Sequence, residues 1–184
     1  GLGVTYREKG EYNKSISTLR KALKINENYN YAVFHTAITL RKLGKMRKSI
    51  KKLNKIINED EYDVFSAYFN KGLANQLLGK YEHAIKDYKM SLEKGITDSS
   101  KIYNNIGNTY RRMGIHEKAK NNYNKSLSIE KIPQAYVNKA QILNMEGKIR
   151  ESVENINKAI KMDSTQGEFF FMKANILEKA GKLE

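Results

Sequence analysis

Six glycines, Gly10, Gly44, Gly79, Gly114, Gly147 and Gly181, stand 34, 35, 35, 33 and 34 residues apart on subtraction. Self-similarity at such a period marks an array in which one short supersecondary unit is repeated and stacked. Each glycine closes a stretch of helical periodicity and precedes a short polar turn. That position predicts a left-handed residue just past a helix C-terminus, a conformation glycine adopts at least cost. The segments before the glycines align as YFNKGLANQLLG, IYNNIGNTYRRMG, YVNKAQILNMEG and FFMKANILEKAG. Those after them align as KYEHAIKDYKMSLEK, IHEKAKNNYNKSLSI and KIRESVENINKAIKM. Each repeat therefore reads as two helices, A and B, over about 1–29, 30–64, 65–99, 100–132, 133–166 and 167–184. The first and last are partial, and the chain from Gly1 to Glu184 reads as an excerpt of a longer stack.

Small residues recur in phase. Gly72, Gly107, Ala140 and Ala174 lie seven residues before the turn glycine, and Ser49, Ala84, Ala119 and Ser152 lie five after it. Both sets let helix A approach helix B closely. The tyrosines Tyr6, Tyr12, Tyr81, Tyr88, Tyr110 and Tyr123 follow the same register and are expected in the core.

This pattern resembles the tetratricopeptide repeat family. The family's signature is a small residue, an aromatic three residues on, Gly-x-Tyr at the turn, and then Ala, aromatic and Ala along the second helix. The first repeat shows Gly3, Tyr6, Gly10, Tyr12, Ser15, Leu19 and Ala22 in those places; the third shows Gly72, Gly79, Tyr81, Ala84, Tyr88 and Ser91. Departures are Glu27 or Lys131 where a proline would follow helix B, and Tyr68, Tyr103, Tyr136 and Phe170 where a tryptophan would stand. Pentatricopeptide repeats share the period, but these turns are not their pattern. The resemblance implies an all-α, right-handed superhelical solenoid of antiparallel helix pairs, with the A helices lining its concave surface. It also implies a non-enzymatic scaffold that binds a protein or peptide.

On helix A of the fourth repeat, Tyr103, Ile106, Gly107 and Tyr110 form the stripe that would pack on helix B, since residues three and four apart share a face. The stripe left over is Lys101, Asn104, Asn108 and Arg111, with Asn105 and Arg112 beside it. Its equivalents are Tyr31, Phe34, Ile38 and Arg41; Ser66, Phe69, Leu73 and Gln76; and Gln134, Val137, Gln141 and Asn144. These predict a groove that is apolar toward the N-terminal half and polar to basic beyond it. It would suit an extended or helical segment with an apolar anchor near Phe34 and Phe69, and acidic or backbone groups near Lys101, Arg111 and Arg112. Asn70, Asn105 and Asn138 occupy one place in three successive A helices, and amides so placed could pair with a peptide backbone. A carboxylate clamp of the co-chaperone type fits poorly, because Asn104, Glu168 and Met172 stand where its cations belong.

Formal net charge is +14, with 34 basic against 20 acidic residues. The densest run is Arg41, Lys42, Lys45, Arg47, Lys48, Lys51, Lys52 and Lys55, mostly on an outer helix. A strip of Lys45, Arg47, Lys48, Lys51, Lys52 and Lys55 offers an alternative function, attachment to nucleic acid or an anionic surface. Cysteine is absent, which excludes disulfides and thiolate sites. His35, His83 and His116 fall in different repeats without ligand or triad spacing, so neither metal, cofactor nor catalysis is expected. The Asn-Lys-Ser triplets at Asn13 and Asn124 sit in predicted helices and are read as incidental. No run approaches the roughly 20 apolar residues a spanning helix needs. The crowding of Phe169, Phe170, Phe171, Ile176 and Leu177 on the last helix predicts end-to-end self-association. The expected setting is cytoplasmic.

Overall fold

The computed structural model describes residues 1–59, 62–95 and 99–181; the expected chain end at Glu184 lies outside them. Among the described residues there are eleven α-helices and no strand. They are α1 (Leu2–Glu8), α2 (Tyr12–Ile25), α3 (Asn30–Lys42), α4 (Met46–Glu59), α5 (Val64–Leu77) and α6 (Tyr81–Glu93), then α7 (Ser99–Arg112), α8 (His116–Ile129), α9 (Pro133–Met145), α10 (Ile149–Met162) and α11 (Gly167–Lys179). The odd-numbered helices are the A helices and the even-numbered ones the B helices. Two compact halves result, Gly1–Thr97 and Asp98–Glu184.

The six periodic glycines that follow A helices are all left-handed, with φ between +63° and +77°. The residue after the glycine, Glu11, Lys45, Lys80, Ile115 or Lys148, donates its N–H five residues back, to the carbonyl of Tyr6, Leu40, Asn75, Tyr110 or Leu143. This bond pattern ends the helix and reverses the chain in two residues. The B-to-A connections are individual. Asn26 and Asp163 make side-chain turns onto the N–H groups of Asn28 and Thr165. Asp63, at a φ of +31°, caps α5 through the N–H of Ser66. The single proline, Pro133, opens α9, where its missing N–H costs nothing.

The core runs between paired helices. In the first half Val33, Phe34 and Ala37 of α3 meet Leu53 and Ile56 of α4, and Ala67 of α5. In the second, Val137 and Ala140 of α9 meet Ile156 and Ala159 of α10, with Phe169 and Ile176 of α11. The small residues do what their phase predicts. A Cβ on Gly72 would stand 2.6 Å from the ring of Tyr88, and one on Gly107 would stand 2.5 Å from the ring of Tyr123. Where helix A carries Ala37 or Ala140, the facing core residue is Leu53 or Ile156 instead of tyrosine. Ser49, Ala84, Ala119 and Ser152 are all fully buried.

Of the six tyrosines expected in the core, only Tyr88 and Tyr123 are wholly buried. Tyr6, Tyr12, Tyr81 and Tyr110 are half-buried at the rim. At Tyr6 and Tyr110 the outer part of the ring is covered by the ammonium group of a lysine on the paired B helix, Lys14 or Lys118, while Tyr110 also packs on the cluster of Ala119, Tyr123 and Ile142.

Candidate interaction surfaces

On the A helices of the first half the expected stripe is partly consumed by folding. Phe34 is 6% exposed and packs into the core, so it is not an open anchor; α3 turns that ring toward Tyr62 and the α4 side. Ile38 packs against the same core while half-exposed. Tyr31 is half-buried, edge-on to His35 at 4.2 Å and stacked on Tyr29. Phe69 is half-exposed beside Tyr88, and Leu73 and Ser66 share its partial exposure. Gln76 accepts from the Tyr88 hydroxyl at 3.2 Å.

A ladder of polar contacts that the sequence reading missed crosses this face. Arg7 of α1 donates to Nδ1 of His35 on α3 at 2.9 Å, and Arg41 of α3 donates to Oδ1 of Asn70 on α5 at 3.4 Å. In both cases the arginine lies four residues past the small residue of one A helix, and its acceptor lies two before the small residue of the next. His35 therefore takes the place of the asparagines, and the register could have revealed it. Burial, and then the charge of Arg7, depress the His35 imidazole to about 4, so it is neutral at pH 7 and accepts from Arg7. Burial likewise lowers the pKa of Arg41. Asn70 is itself buried and donates to the carbonyl of Ser66.

In the second half, Lys101 and Arg112 are exposed, and Asn105, Asn108, Arg111, Asn138 and Gln141 are half-buried. Asn104 is buried and accepts from Asn138 at 3.1 Å, which joins α7 to α9. Asn108 accepts the Tyr123 hydroxyl at 2.8 Å. Burial raises that phenol to about 12 against the opposing pull of Arg111. Asn105 donates to the carbonyl of Lys101, and Gln141 reaches Sδ of Met172 at 3.8 Å. Val137 is buried, Asn144 half-buried and Gln134 exposed. Asn70, Asn105 and Asn138 thus each spend one amide N–H inside the protein. Three polar atoms of these stripes, Arg41 Nε, Arg111 Nε and Gln141 Oε1, are buried with no hydrogen-bond partner.

The basic strip lies on α4 and the turn before it. Lys45, Arg47, Lys48 and Lys51 are exposed, and Lys52 and Lys55 half-buried. Lys55 is tied to Asn28 Oδ1 at 2.7 Å and to Glu59 at 3.7 Å. Among the described residues, no group of three His, Asp or Glu side chains could hold a metal ion, and no helix is long and apolar enough to cross a membrane.

The tetratricopeptide repeat family model matches residues 1–29, 65–93, 100–132 and 133–166. Between the matched stretches of the first and third repeats, α3 and α4 form the same helix pair. No curated protein matches the chain. Among solved structures, the chain is similar to MamA at 24% identity, over 91% of this chain and 98% of that one, with a TM-score of 0.72. It is similar to a thermophilic repeat protein of this type in Thermus thermophilus at 20% identity, over 96% and 95%, with a TM-score of 0.77. PilW, a type IV pilus biogenesis factor, superimposes at 16% identity over 98% and 84%, with a TM-score of 0.86. At these identities the likeness is one of fold. With the family model matching most of its length and the helix pairs and turn glycines in phase, the chain belongs to the tetratricopeptide repeat family.

Proposed function

We propose that this chain is a non-enzymatic scaffold that holds a protein or peptide segment on the exposed stripes of its A helices. The family's fold is that of protein–protein interaction scaffolds in general, and the stripes supply the specific reading. The observation that carries it is the cluster of amide and cationic side chains that α7 leaves wholly or partly exposed, Lys101, Asn105, Asn108, Arg111 and Arg112. In the first half Phe69 and Leu73, rather than Phe34, offer the apolar contact. In the second half Lys101, Asn105, Asn108, Arg111 and Arg112 suit backbone carbonyls or acidic side chains.

A pull-down comparing the wild-type chain with a Phe69→Ala, Asn105→Ala, Arg111→Glu variant tests this, once circular dichroism shows both equally helical. A protein captured by the wild type and lost with the variant supports the A-helix reading. Capture that is unchanged by the three substitutions sinks it.

A further inference from the structure

The outer side of the first half carries a second surface that differs in chemistry from the A-helix stripes. Between α2 and α4, two clefts of about 560 and 520 Å³ share Ile16, Arg20, Leu40 and Lys48, and so run together as one trough. One wall is α4, with Lys48, Lys51 and Lys52. The other is α2, with Arg20, Lys21 and Lys24. None of these six cations has a carboxylate partner among the described residues. The floor is aliphatic, made by Ile16 and Leu23 of α2 and Leu40 of α3. Thr36, 5% exposed, completes it, and its buried hydroxyl has no hydrogen-bond partner.

We infer that this trough docks an acidic amphipathic helix of a partner protein. The trough extends from Lys45, in the turn before α4, to Lys55 on α4, roughly 15 Å at the usual helical rise, which matches two to three turns of a bound helix. Leucine-like side chains at every third or fourth position meet Ile16, Leu23 and Leu40, while flanking Asp and Glu meet the lysines and arginine on the two walls. The alternative occupant of a basic groove is a single nucleic-acid strand. Such strands are held by aromatic side chains on which bases stack, and no aromatic residue lines either cleft. This surface is separate from the A-helix stripes, and its occupancy does not depend on theirs.

The test is fluorescence anisotropy with the full chain and three labelled probes. These are a synthetic 14-residue helix with Leu at i, i+3, i+4 and i+7 and Glu elsewhere, a scrambled peptide of the same composition, and a single-stranded oligonucleotide of equal charge. The helix is expected to bind at least about tenfold tighter than the scrambled peptide. A Lys48→Glu, Lys52→Glu variant, checked for unchanged helicity, should lose at least about tenfold, whereas Lys48→Arg, Lys52→Arg and the A-helix variant should bind as wild type. Equal binding of both peptides reduces the trough to a diffuse charge and overturns the inference. So does a tighter, equally variant-sensitive binding of the oligonucleotide, or helix binding indifferent to the charge reversal.

Discussion

Gly107 and Tyr123 are held together at a distance that leaves room for no further atom. A Gly107→Ala variant places a methyl 2.5 Å from a wholly buried ring. Overpacking of this kind costs about 1–3 kcal/mol, and the better helix propensity of alanine returns about 1 kcal/mol. The expected outcome is a net loss of up to about 2 kcal/mol in denaturant unfolding. Combining it with Tyr123→Leu, which approximates the Ala140 and Ile156 pairing, should make the second substitution less costly than it is alone; strictly additive losses in the cycle would disprove the steric account. His35 supplies a residue-scale prediction of a different kind. Its folded pKa of about 4 lies below the ordinary 6.5, so the unfolded chain binds the proton first. Its contribution is complete above pH 6.5 and declines as the pH falls toward 4. With the ring only half-buried, solvent screening reduces that decline to about 1 kcal/mol. His35→Asn, which installs the residue found at this place in the next three A helices, should flatten the stability profile over that interval, as followed by thermal unfolding at several pH values.

At the scale of the helix pair, the turn glycines and the interhelical glycines obey opposite constraints. A Cβ on Gly147 would meet nothing within 4 Å, but its φ is +75°. Gly147→Ala should therefore cost about 1 kcal/mol for the left-handed backbone alone, with Gly147→Asn milder, as read from the unfolding midpoint. This distinction also marks what the sequence conveys. The turn glycines are legible from their spacing, because only a left-handed residue serves there. The glycines inside helix A are recognisable as small, but the ring laid on them can be assigned only after both helices are in place. Phe34 misleads because a position at the edge of a helical stripe can turn toward either side, and Tyr62 and the α4 core settle the matter. Arg20, Lys21 and Lys24 escape notice because a linear run of charge shows one helix at a time, and the wall they form faces α4 from the preceding repeat.

The whole chain carries +14 formal charges, and the α2–α4 trough concentrates several of them with no carboxylate partner among the described residues. Mutual repulsion between such groups is screened within about 10 Å at 0.1 M salt. Raising sodium chloride from about 20 to about 200 mM, across which the screening length shortens, is expected to raise the midpoint of thermal unfolding. The Lys48→Gln, Lys52→Gln variant should show a smaller rise, and an equal or larger rise would place the repulsion elsewhere. Hydrogen exchange gives a second whole-chain expectation. Because repeat arrays are stabilised by nearest-neighbour interfaces, Gly107→Ala should speed exchange in α7, α8 and α9 and leave α1 to α4 at wild-type rates.

The fit of tyrosine on glycine in some repeats, and of leucine or isoleucine on alanine in others, limits how these repeats can be shuffled. A recombinant joined within an A-to-B turn would marry Ala140 to Tyr123, which clashes, or Gly107 to Ile156, which fits only if the two helices close up as they do around Gly3 and Leu19. Crossovers in the links from one helix pair to the next keep each matched couple intact, so the unit that can be inherited whole runs from the start of an A helix to the end of its own B helix.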